Sequence, residues 1–218
     1  STQSATAEKT KTSVYDEAPA GQLSKHWLPT HYQLDLTINP DEPDFIGDVT
    51  IAIDVKKARN HFYLHGNLLK VSEVTLTTAD GQAHAGQYSQ VDKSGVARIA
   101  FDEVIAAGTA ELNIKYAAPF NEALEGLYRV VDGGLNYAYT QFEATSARLA
   151  FPGFDEPAFK VKFDVSITAP ANMHAIANTQ LVKKNLTEGK AGYATSVYAT
   201  TEPLPTYLLA FAVGEFDV

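Results

Sequence analysis

Cysteine is absent from all 218 residues, which excludes disulfides, thiol nucleophiles and every cysteine-based zinc site together. It leaves the compartment open, because a cysteine-free chain suits either redox environment. Basic residues are scarce: 17 Lys and Arg stand against 26 Asp and Glu, a formal charge of −9. No basic run exceeds the pairs Lys56-Lys57 and Lys183-Lys184, so a phosphate-binding surface is not expected and no nucleic-acid partner with it. No stretch of about 18 apolar residues occurs, so no membrane span is expected. Also missing are Gly-x-Ser-x-Gly, Gly-x-x-x-x-Gly-Lys-Ser/Thr and His-Glu-x-x-His, the nucleophile elbow, the phosphate cradle and the zinc helix.

What is present suits one folded unit. The chain is 45% hydrophobic and 11% aromatic, and a chain of this size buries roughly 70% of its unfolded surface. Residues 1–27 form a polar leader: Ser1 to Ser13 hold too few large apolar side chains to offset their ordering entropy, so this segment is expected to be flexible. Residues 28–218 are expected to form a single all-β domain. The start without Met points to export, to a bacterial periplasm or beyond, with a cytoplasmic protein left open; a boundary inside a longer chain explains the start equally well.

From Pro29 onward the dominant period is two. Tyr32, Leu34, Leu36 and Ile38 alternate with Gln33, Asp35 and Thr37, and Val49, Ile51, Ile53 and Val55 alternate with Thr50 and Asp54. Such alternation is the pattern of a strand with one face on a core and one in water. Arg98–Phe101, Leu112–Tyr116 and Val161–Ile167 repeat it. Between the strands stand Asn39-Pro40, Asp80-Gly81, Ser94-Gly95, Asp132-Gly133-Gly134 and Glu188-Gly189, residues that supply the φ values of reversals. No helical period persists for a dozen residues. The expected architecture is a sandwich or stack of twisted mixed and antiparallel sheets with almost no helix.

Chemistry is harder to find. His61 and His65 are four apart, but on a strand that is roughly 13 Å, too far for two ligands of one zinc ion. Asp155-Glu156, with Pro152 before and Pro157 after, reads as a rigid, solvated turn. Asn185-Leu186-Thr187 fits a glycosylation acceptor and carries meaning only for an exported eukaryotic protein. The segment from Gly126 to Lys160 stands out: Tyr128, Tyr137, Tyr139, Phe142, Phe151 and Phe154 crowd around Gln141 and Glu143. Dense aromatic and polar residues on irregular chain suit a binding wall.

Those residues resemble the aminopeptidase N family of zinc metallopeptidases. The resemblance is carried by Thr140-Gln141-Phe142-Glu143-Ala144, by Ala147-Arg148, and by Phe151-Pro152-Gly153-Phe154-Asp155-Glu156-Pro157. Leu28-Pro29-Thr30-His31-Tyr32, Phe45–Val49, Gly126-Leu127-Tyr128-Arg129 and Leu204–Gly214 add further blocks in the family's order. Family members often carry Cys where this chain has Gly153.

The resemblance implies the N-terminal β-domain of such an enzyme, without the catalytic domain that follows it. It implies a parent that removes N-terminal residues from peptide substrates with a zinc-bound water, Zn2+ being held in the missing domain. The chain alone is then expected to bind no zinc and to be inactive. By the same resemblance Glu143 contacts the substrate's free α-amino group, and Gln141 lines the pocket for the first side chain. The alternative reading is a non-catalytic β-sandwich that binds carbohydrate or protein, with Tyr137 and Tyr139 as stacking surfaces.

Overall fold

Alternation of apolar and polar residues becomes sheet, as the period of two requires. The structure, a computed structural model, describes residues 18–217. Among them fourteen strands run in the order β1 (Trp27–Thr37), β2 (Asp44–Val55), β3 (Arg59–His65), β4 (Lys70–Thr78), β5 (Ala83–Gln90), β6 (Val96–Ile105), β7 (Gly108–Pro119), β8 (Gly126–Asp132), β9 (Leu135–Gln141), β10 (Lys162–Pro170), β11 (His174–Ala177), β12 (Leu181–Leu186), β13 (Tyr193–Tyr198) and β14 (Phe211–Gly214). The only helical pieces among the described residues are the single 3₁₀ turns Ala147–Leu149 and Thr206–Leu208. The all-β expectation holds.

Ten strands form one sheet in the order β12-β13-β10-β1-β2-β7-β4-β5-β6-β3, and four form a second in the order β11-β14-β9-β8. The β1–β10 pair is parallel and its neighbours are antiparallel. In β1 and β2 the alternation reads out directly: Tyr32, Leu34, Leu36, Val49, Ile51 and Ile53 are buried. The opposite face carries cross-strand polar pairs instead, Asn113 Nδ2 donating to Asp48 at 2.6 Å and Ser166 Oγ to Asp35 at 2.6 Å. Asp80-Gly81 and Glu188-Gly189 fall between the paired strands β4 and β5 and β12 and β13, as hairpin tips should. Gly133 and Gly134, at φ +58° and +78°, close the tight β8–β9 hairpin with a conformation that other residues resist.

One apolar cluster runs through the molecule from Leu23 to Val213. Trp27 stacks on Phe62 at 4.4 Å, which brings β3 back over β1, and Tyr32 stacks on Phe163 at 4.5 Å across β1 and β10. The fold therefore takes in more of the N-terminal side than a boundary at Leu28 predicts. Leu23 is buried, its backbone N–H donates to Glu156 at 2.8 Å, and Trp27 opens β1. Two large side chains, spaced too far apart to show a period, were enough to anchor a segment whose composition is polar. The earlier part of the leader, residues 1–17, lies outside the described residues.

Candidate functional site

Gln141 ends β9, and the chain then leaves the sheet for an irregular stretch that runs to β10. Three buried rings hold that stretch down. Phe142 packs against Phe151 at 6.1 Å and Phe211 at 5.8 Å, and Phe151 against Tyr32 and Phe163. Phe154 packs on Phe62. Apart from the bridge between Gly153 and His65 of β3, the backbone polar groups of this stretch must find partners outside a strand ladder. Tyr116 Oη donates to the Ala150 carbonyl at 2.8 Å, and Tyr32 Oη accepts from the Phe154 N–H at 2.8 Å. Both phenols are buried, and desolvation raises both well above the ordinary tyrosine value. Tyr116 reaches its partner by lying over Gly47, where any Cβ would meet the ring at 2.2 Å.

Between these anchors the loop surfaces. Glu143, Ala144 and Thr145 are exposed, and so is Gln141. The structure brings the two predicted site residues together: the Glu143 N–H donates to Gln141 Oε1 at 3.2 Å, and the Glu143–Ala144 peptide is cis. The loop turns back when the Ser146 N–H reaches the Phe142 carbonyl at 3.0 Å. Neither Gln141 nor Glu143 lines the concavities of about 400 and 420 Å³ that lie over Thr30, Ala52 and Thr77 on the large sheet and against Ile46 and Tyr193.

Gln141 shares one face of the four-stranded sheet with the tyrosines. Register places Ile176, Ala212, Tyr139 and Tyr128 in a row across its four strands. Tyr137 lies 6.4 Å from Tyr139 and 5.3 Å from Phe216. Burial among these rings, then the neighbouring phenols of Tyr137 and Tyr128, raises Tyr139 above the ordinary value. Ile176 is 53% exposed. An aromatic, apolar face thus leads directly to the Gln141–Glu143 loop.

A second set of polar groups, scattered in the sequence, meets only in the fold. Asp155, only 5% exposed, is not a solvated turn residue. Arg148 Nε donates to its Oδ2 at 2.8 Å, Thr206 Oγ1 to its Oδ1 at 2.6 Å, and its own N–H donates to His65 Nδ1 at 3.1 Å. Arg148 also reaches the Asp155 and Ser94 carbonyls at 3.1 and 2.9 Å. Ala147-Arg148 and Asp155 both stand in the blocks that carry the resemblance, but the prolines around Asp155 make it read as a solvated turn residue.

The histidines are ill-placed for zinc. His65 Nδ1 is engaged by the Asp155 N–H, His61 Nδ1 lies 2.8 Å from Asn60 Oδ1, and His31 Nε2 lies 2.6 Å from the single carboxylate of Asp164. No group of three or more His, Asp or Glu among the described residues is arranged to hold a metal ion. The donor set does not fit that ion, and no step through it follows from these residues. No helix among the described residues is long and apolar enough to cross a membrane.

Over residues 28–208 the sequence matches the Peptidase M1 N-terminal domain. It is 33% identical over 196 residues to a puromycin-sensitive aminopeptidase of Caenorhabditis elegans, a match covering 87% of this chain and 20% of that protein. It is 31% identical over 205 residues to endoplasmic reticulum aminopeptidase 1 of Homo sapiens, covering 90% and 22%. With aminopeptidase 2 of Candida albicans it shares 34% over 194 residues, covering 86% and 20%. The chain thus spans about a fifth of the length of the curated relatives it matches, and corresponds to their N-terminal part.

Proposed function

Because this chain belongs to the Peptidase M1 N-terminal domain family, we propose that it is the N-terminal β-domain of a zinc-dependent aminopeptidase and supplies one wall of that enzyme's substrate cleft. The observation that carries this reading is the Gln141–Glu143 loop, exposed at Gln141 and Glu143 and held down between them by the buried ring of Phe142, which packs on Phe151 and Phe211. An exposed carboxylate on a held backbone suits recognition of a peptide's α-amino group, which with a pKa near 7.7–8.0 is largely a cation at neutral pH. Glu143 pairs with that cation and selects substrates with a free N-terminus. Gln141, two residues away and bonded to the same loop, borders the first side chain. The aromatic face of Tyr128, Tyr137, Tyr139 and Ile176 packs against the rest of the polypeptide, which holds the zinc ion and closes the cleft.

The test is made in the full-length enzyme. A hydrogen bond to a charged group is worth roughly 1.5–3 kcal/mol, so Glu143→Ala lowers kcat/KM by about one to two orders of magnitude with zinc content unchanged. Glu143→Gln keeps an acceptor without the charge and falls between. An unchanged kcat/KM in Glu143→Ala, at full folding and metal occupancy, leaves Glu143 a plain polar loop residue and overturns the reading.

A further inference from the structure

We infer that Asp155 is the positioning residue for the Gln141–Glu143 loop, the point where the two flanks of that loop are fastened to each other. The inference rests on the substrate role proposed for Glu143. The flank that follows the loop is the turn Ala147–Leu149, and its Arg148 donates to Asp155 Oδ2. The flank that precedes it is β9. That strand pairs with β14, and the Phe211 N–H at the head of β14 donates to Thr140 Oγ1 at 3.1 Å. β14 is reached through the turn Thr206–Leu208, whose first residue donates to Asp155 Oδ1. One carboxylate therefore takes one donor on each oxygen, and each donor leads to a different end of the loop. Asp155 itself is rooted in the core: its N–H donates to His65, and His65 exchanges two backbone hydrogen bonds with Gly153 at 2.7 and 2.9 Å.

The chemistry of the node suits location more than stability. A buried Arg–carboxylate pair often adds no more net stability than well-packed apolar side chains, because desolvation offsets its attraction. What it adds is direction: a guanidinium fork and a hydroxyl meet the carboxylate along fixed lines. Apolar packing of Phe142 alone would hold the loop down but leave it free to slide along the surface. Glu143 lies five residues from Arg148 and three from Ser146, whose N–H closes the loop, so small movements of Arg148 transmit to it.

The experiment uses the full-length enzyme with Thr206→Val, Thr206→Ser and Asp155→Asn, and reads amide hydrogen exchange of residues 142–147 beside kcat and KM. Thr206→Val keeps the shape and removes one arm; Thr206→Ser restores the hydroxyl. In Thr206→Val and Asp155→Asn the loop amides exchange at least about tenfold faster while those of β1 and β2 do not, the signature of a local opening. kcat/KM falls about three- to tenfold, Thr206→Ser recovers both readouts, and in a Glu143→Ala background Thr206→Val adds no further loss, since both changes act through one group. Unchanged loop exchange in Thr206→Val overturns the inference, as does an additive loss or a failure of Thr206→Ser to recover. If Asp155→Asn does not fold, the Thr206 pair decides alone. A Glu143→Ala enzyme with unchanged kcat/KM overturns the substrate role of the loop and the positioning role with it, whatever the exchange shows.

Discussion

His65 shows how one buried residue can make the fold sensitive to acid. Its Nδ1 accepts the Asp155 N–H, which only an unprotonated nitrogen can do, and Arg148 stands beside it. Burial first, and then the Arg148 guanidinium, lower its pKa from 6.5 to about 4. Between those values the unfolded chain binds a proton that the folded chain refuses. Stability from this residue is therefore complete above pH 6.5, declines as the pH falls toward 4, and changes little below that. At 1.36 kcal/mol per pKa unit the whole window is worth about 3 kcal/mol. His65→Asn keeps an acceptor near the Nδ1 position and removes the titration. Urea midpoints of the two proteins, followed from pH 7 to pH 4, should converge as the wild type loses stability faster. Parallel curves would show that His65 does not carry the acid sensitivity. None of this was legible in the sequence, where His61 and His65 stood out only as a spacing that fails for zinc.

Among the strands, β12 is the vulnerable one. All six of its residues, Leu181 to Leu186, are exposed, and it forms an edge of the ten-stranded sheet with β13 as its only neighbouring strand among the described residues. Leu181, Val182 and Leu186 would invite another strand, and Lys183 and Lys184 interrupt them; charged side chains on an edge are a common protection against such pairing. Replacing both, Lys183→Thr with Lys184→Val, should produce concentration-dependent association in light scattering where the wild type shows less. Equal association of both proteins at every concentration would remove that role from the lysines. At this scale the sequence was readable wherever one face of a strand meets the core, because burial imposes the period of two that Tyr32 to Ile38 and Val49 to Val55 display. It was unreadable where the cause lies far along the chain. Asp155 looked like part of a solvated turn because Thr206, 51 residues away, and the Arg148 side chain meet it only in the fold. Gly47 sits inside a strand for the sake of the Tyr116 ring above it. Glu143 carries no periodic signal; the aromatics around it marked the segment, and only the resemblance of its neighbours gave it a role.

For the molecule as a whole, a closed core and an incomplete chemistry lead to one expectation. The apolar cluster draws on both sheets and on the segment between them, so the 218-residue chain has what it requires to fold. Peptide hydrolysis needs an activated water, and the ordinary route at neutral pH lowers the pKa of a bound water to about 7 with a metal ion. Among the described residues no group of three or more His, Asp or Glu is arranged to hold a metal ion, and a catalytic zinc site takes three protein ligands. The buried pair Arg148–Asp155 offers no substitute, since each oxygen of that carboxylate already accepts a hydrogen bond. The purified chain should therefore be β-rich by circular dichroism, retain no stoichiometric zinc after dialysis, and release no product from aminoacyl-arylamides with or without added zinc. Turnover that survives purification and disappears on substituting a residue of this chain would mean that the domain holds a reactive site of its own.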